Sequence, residues 1–229
     1  MLRAWPWALG AAVAALAIAL AVWGYQSYRA REDAKASETY ATAFDTAQKG
    51  DVNRAFTLFG QAADTPSRGY KSLALMQQGA IRLQQNRTDE AVALFDKAAD
   101  AAPDPMIGDM ARLKSALALF DTAPYAALQE RLTPLTDGVR PYHAAAREAL
   151  AMAKLKAGRT KEARSDFQVV QLTPDATQAQ KSRASAAIMA IDSGAVSNLS
   201  QAVAIARTLP PAPAPPPVSN EIPQTGAAQ

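Results

Sequence analysis

The sequence predicts an all-α protein: an N-terminal single transmembrane helix followed by an α-solenoid of about four helical hairpins plus capping helices. Three observations carry this. Residues 4–25 contain no charged side chain. Between residues 37 and 209, small residues, phenylalanines and turn residues recur at one spacing. No stretch sustains the period-2 alternation of a half-buried strand, and alanine, the best helix former, recurs throughout.

The first helix comes from AWPWALGAAVAALAIALAVWGY. About 20 apolar residues in a helix cross a hydrocarbon core of roughly 30 Å. Trp5, Trp7, Trp23 and Tyr25 lie near the two ends of the run, where aromatic rings favour the interface. The rival reading is a cleaved signal peptide. The run is too long for its hydrophobic region, and Trp23, Tyr25, Tyr28, Arg29 and Arg31 make a poor cleavage site. An uncleaved anchor over residues 1–28 is therefore expected, with a juxtamembrane linker at 29–36. Arg3 precedes the span, whereas Arg29, Arg31 and Lys35 follow it. A literal positive-inside count would leave the C-terminal domain in the cytoplasm. Large domains are translocated despite such flanks, so charge alone leaves the orientation open.

The repeat domain, residues 37–209, is read by adding 36. Ala55 leads to Ala91, Ala127 and Ala163. Phe59 leads to Phe95, Arg131 and Phe167, and Ala43 leads to Gly79, Ser115 and Ala151. The turn position gives Gly50, Asn86, Thr122 and Gly158. Small residues let paired helices approach, an aromatic plugs the groove between them, and Pro follows the second helix. The best-kept unit, residues 79–103, has Gly79, Ala91, Phe95, Ala98 and Pro103 in these roles. Ala163 and Phe167 repeat them in the fourth unit. This predicts helices near 37–48 and 52–64, 69–85 and 88–101, 106–121 and 124–137, and 142–157 and 160–172. Capping helices follow near 176–192 and 197–208. Thr65-Pro66 and Thr173-Pro174 read as helix starts.

The third unit departs from the pattern. Arg131 stands in the aromatic position and Val139 in the proline position, so Leu128, Leu132 and Leu135 are expected to fill the groove. The tail, 210–229, carries seven prolines between 210 and 223. It reads as extended or disordered polyproline-II chain.

Little reactive chemistry is written here. Cysteine is absent, which excludes disulfides, thiolate metal sites and cysteine nucleophiles. The single histidine, His143, begins a helix and reads as a surface or capping residue. No P-loop, dinucleotide glycine loop, GxSxG or HExxH is present. The expectation is no enzyme, no catalytic residue, no cofactor, no metal and no small-molecule substrate. Net charge is +3 in 229 residues, too small to demand an anionic partner. Charge is uneven, however. Asp89, Glu90, Asp96, Asp100, Asp104 and Asp109 cluster in one stretch. Lys154, Lys156, Arg159, Lys161 and Arg164 cluster in another and form a candidate partner-binding basic surface. Solvated helix faces are the plainer explanation. Aromatic residues are not interleaved with the basic stretch, which argues against nucleic acid. On the first helices of the hairpins, Gln77, Gln84, Lys114 and Lys154 are candidates for a concave binding face.

An anchor followed at once by GYKSLALMQQGAIRLQQNRTDEAVALFDKAAD, DMARLKSALALFDTA and AAAREALAMAKLKAGRTKEARSDFQ resembles the YfgM-like tetratricopeptide repeat (TPR) family, ancillary subunits of the bacterial Sec translocon. The resemblance covers roughly residues 5–192; the proline-rich tail departs from it. It implies a single-pass inner-membrane protein with a periplasmic TPR domain, contacting translocon subunits, periplasmic chaperones or secreted clients. A TPR coordinator of cell-envelope or cell-division machinery is the alternative.

Overall fold

The computed structural model describes the backbone of residues 5–196 and the side chains of 14–196. These residues form nine α-helices and one 3-10 turn, packed as sequential hairpins. The pairs are α1 (Trp5–Gln48) with α2 (Val52–Ala63), and α3 (Arg68–Gln84) with α4 (Thr88–Ala101). Then come α5 (Pro105–Ala118) with α6 (Tyr125–Leu132), and α7 (His143–Lys156) with α8 (Thr160–Leu172). The 3-10 turn Thr133–Thr136 follows α6, and α9 (Gln178–Asp192) closes the described chain. Among the described residues, those up to Ile188 form one compact unit, and those from Met189 fall outside it. The capping helix expected near 197–208 and the proline-rich tail lie outside the described residues.

The period appears in the backbone. α2, α4 and α8 begin at Val52, Thr88 and Thr160, which are 36 and 72 residues apart. Gly50, Asn86 and Gly158 all take positive φ (86°, 59° and 74°). Each closes its helix in the same way. The amide of Gly50 donates to the Ala47 carbonyl, and that of Asp51 to Thr46. Asn86 and Arg87 donate to Leu83 and Arg82, and Gly158 and Arg159 to Leu155 and Lys154. This pair of bonds is the Schellman closure, which needs a left-handed residue and so favours Gly or Asn. Thr122, the turn residue of the third unit, does not take positive φ. Its amide and that of Ala123 both donate to the Leu119 carbonyl. A β-branched residue pays heavily for φ > 0, and this turn closes differently, with α6 starting one residue late.

Two helix boundaries differ from those expected. Residues 29–36, expected as a juxtamembrane linker, are helical: α1 runs continuously through them. RAREDAKA lacks Gly and Pro and is mostly strong helix formers, so nothing stops the helix. The Thr-Pro pairs also do not start helices. Thr65 Oγ1 donates to the Ala62 carbonyl and Thr173 Oγ1 to Val169, each finishing the helix before it. The next helices start after Ser67 and at Gln178. Thr177 Oγ1 accepts from the Gln180 amide at 3.2 Å.

The span expected over residues 4–25 falls partly outside the described side chains. Among the described residues no helix is long and apolar enough to cross a membrane. Leu16, Ile18, Leu20, Val22 and Trp23 on α1 are all exposed.

The buried apolar residues form two clusters. One runs from Ala43 to Ala111 around Phe59 and Phe95, and the other from Leu113 to Ala153 around Leu128, Leu132 and Leu135. Those three leucines are almost wholly buried and fill the third unit as expected.

Candidate functional site

The repeat positions are packing positions. Ala91, Ala98 and Ala163 are fully buried and Phe95 and Phe167 nearly so. Gly79 is the tightest: a Cβ there would sit 2.7 Å from the Phe95 ring. Pro103 is exposed in the turn between α4 and α5, where it stops α4 and precedes the cap Asp104. The Asp104 carboxylate accepts from the Ile107 amide at 3.0 Å.

The basic residues have separate duties. Lys154 is only 16% exposed and donates to Asp166 across the α7–α8 hairpin at 2.6 Å. Arg147 joins the same carboxylate at 3.3 Å. Arg159 donates to Glu162 at 2.7 Å and lies over the Tyr125 ring at 4.8 Å. The Glu162 hydrogen bond raises the pKa of that guanidinium above its ordinary value. Lys156 donates to the Phe120 and Asp121 carbonyls at 2.8 and 3.1 Å. Lys161 is exposed and Arg164 half-buried. Helical phase explains this dispersal: residues adjacent in sequence point around the helix, and the inward ones meet carboxylates of the partner helix.

The acidic stretch is likewise structural in part. Asp109 is fully buried and its Oδ1 accepts from Arg112 and Arg140. Asp96 accepts from Arg131 and from the Ser115 hydroxyl, the latter at 2.6 Å. His143 Nε2 lies 2.8 Å from Asp175, tying the start of α7 to the turn before α9. That hydrogen bond holds the Asp175 carboxyl below its ordinary range. Among the described residues no group of three or more His, Cys, Asp or Glu is placed to hold a metal ion.

What remains open is a groove on the first helices. A hollow of about 370 Å³ is lined by Leu113, Leu117 and Phe120, by Ala145, Ala149 and Met152 of α7, and by Gln180 and Arg183 of α9. A second, of about 440 Å³, lies between α3 and α5, lined by Ala80, Leu83, Gln84, Phe95, Lys114 and Leu117. Leu117 belongs to both, so the two hollows adjoin. Leu83, Leu117 and Met152 are 39%, 48% and 45% exposed there. Ala80 and Ala118 line the second hollow, and Ala145 and Ala149 the first. Of the expected face residues, Gln84 and Lys114 line it. Gln77 instead donates to the Tyr40 hydroxyl at 3.1 Å, and Lys154 is held by Asp166. The apolar wall of Leu113, Phe120 and Met152 was missed. Its signal was the i, i+4 apolar pair Leu113 and Leu117 on α5, of which Leu113 is buried and Leu117 exposed, and which reads as core when the helix is taken alone.

Sequential hairpins, a repeated Schellman turn and a groove along the first helices agree with a family match. The tetratricopeptide repeat-like domain model matches residues 3–200. The chain belongs to the tetratricopeptide repeat-like family. No curated protein and no solved structure matches it. The TPR-like domain makes it a protein-interaction scaffold, a class of domain that is typically non-enzymatic.

Proposed function

We propose that the protein is a membrane-tethered TPR scaffold that holds partner proteins in the groove of α3, α5 and α7. The observation that carries this is the exposure of Leu83, Leu117 and Met152 along two adjoining hollows. Clustered exposed apolar side chains in a concavity mark an interaction site, whereas scattered ones do not. The uncharged run at 4–25 supplies the tether, as a single-pass anchor in a bacterial inner membrane. Tethering raises the local concentration of the groove for partners at the same membrane. The finer reading is an ancillary subunit of the Sec translocon, with the domain in the periplasm linking secreted clients to chaperones. It rests on the family resemblance of the anchor and repeats. A coordinator of envelope or division machinery uses the same tether and groove.

A photocrosslinking amino acid at position 117 or 152, in the full chain in intact membranes, tests both levels. Translocon subunits or periplasmic chaperones among the adducts are the expected result. Envelope or division proteins instead would favour the coordinator. Adducts only from positions outside the groove would sink the groove reading. A phosphatase reporter fused after residue 209 tests the compartment: activity is expected, and its absence would overturn the periplasmic assignment.

A further inference from the structure

We infer that the segment received by this groove is acidic as well as apolar: a stretch of a partner protein that interleaves aliphatic or aromatic residues with Asp or Glu. This rests on the groove reading above and adds the chemistry of the occupant. The floor and walls set the apolar half. Leu117 and Met152 are each nearly half exposed, and only an apolar side chain gains by covering them.

Charge decides the other half. Among the described residues, Glu148 is the one carboxylate lining either hollow. Arg183 occupies it with two hydrogen bonds of 2.6 and 2.8 Å, one to each oxygen. A cationic partner would have to displace that fork to find an acid here. Lys114 is the opposite case. It stands one turn before Leu117 on the exposed side of α5, and none of the described residues pairs with it. Lys156 adds a second cation. Its ammonium lies 5.5 Å from the centre of the Phe120 ring, which lines the first hollow. Its bonds go to backbone carbonyls. The nearest carboxylate, Asp121, is 3.9 Å away and 98% exposed, so the charge is little offset.

The groove therefore offers apolar contact flanked by two cations, and among the described residues the carboxylate that lines it, Glu148, is already occupied by Arg183. Opposite charge on the occupant speeds encounter and sets its register.

The test uses the full chain in intact membranes with the crosslinker at position 117. The captured segment is excised and read by mass spectrometry. We expect apolar residues with Asp or Glu within a few positions of the crosslink. We also expect the yield to fall roughly tenfold in Lys114→Glu/Lys156→Glu, to be retained in Lys114→Arg/Lys156→Arg, and to drop as salt is raised. Both lysines are solvent-facing, and an unchanged circular dichroism spectrum confirms that the variants fold. A neutral or basic captured segment, an adduct with lipid in place of protein, or a yield indifferent to charge reversal overturns the inference. A protein adduct on the wrong chemistry leaves the groove reading standing. Loss of all adducts from both 117 and 152 takes down both.

Discussion

The second and third hairpins place the same pair of positions face to face and fill the space between them by opposite means. In the second, Phe95 lies against Gly79 so closely that a Cβ has no room. Thirty-six residues on, Ser115 stands for Gly79 and Arg131 for Phe95. Arg131 donates to the Ser115 hydroxyl at 2.9 Å and reaches back to Asp96 of α4 at 3.0 Å. The aromatic plug has become a polar clasp between neighbouring hairpins. The apolar filling has moved to Leu128, Leu132 and Leu135, and the buried apolar residues divide into two clusters at α5. Backbone period and core chemistry are thus separable. A repeat keeps its register when the plug is polar, provided each polar group finds a partner.

The largest expected effect lies on the apolar side. Phe95→Ala removes a nearly buried ring from the tightest contact in the second hairpin and should cost about 3–5 kcal/mol in urea unfolding. A cost below about 1 kcal/mol would mean the plug is not what holds that hairpin. The third hairpin has a polar counterpart in Asp109, fully buried between Arg112 and Arg140. Asp109→Ala strands two guanidinium groups, but both arginines are partly exposed and can regain water. The loss should be about 2–3 kcal/mol, below the limit for a fully buried pair. If Asp109→Ala proves neutral, the ionic cluster is ornament and the comparison fails.

How much of this was legible follows from the same contrast. The 36-residue spacing located α2, α4 and α8, because Gly, Asn and Phe at fixed intervals carry specific geometric demands. It also located the failure at Arg131 and its leucine replacements. It could not say that Arg131 would find Asp96, since an ion pair between residues 35 apart depends on how two hairpins stack. Nor could it say that Lys154, Arg159 and Lys156 of the basic stretch would turn to Asp166, Glu162 and two backbone carbonyls. Of the residues expected on a concave face, Gln84 and Lys114 line the hollow between α3 and α5, whereas Gln77 is committed to Tyr40. Continuous helix formers hid the course of α1 through residues 29–36, because a stop signal can be read and a missing one only inferred.

Gly79→Ala sharpens the apolar side at smaller scale. Alanine gains up to about 1 kcal/mol in a helix interior, but its methyl must displace the Phe95 ring, at about 1–3 kcal/mol. A net loss of about 1–2 kcal/mol is expected, relieved when Phe95→Leu is added. Two losses that simply add would show that the ring and the glycine are not coupled.

The smallest effect tests the clasp itself. Arg131 and Asp96 are both more than a third exposed at their side chains, so their attraction is screened and replaceable by water. Arg131→Met keeps the length and apolar contact of the side chain while removing the charge. Its cost should be no more than about 1 kcal/mol, with Ser115 still bonded to Asp96. The location of the effect matters more than its size. Hydrogen exchange should quicken in α5 and α6 and leave α3 unchanged, and in the unaltered protein added salt should quicken α5 and α6 in the same way. Exchange that rises equally in α3 and α6 would mean the two apolar clusters unfold as one. The ionic seam between them would then have no mechanical meaning.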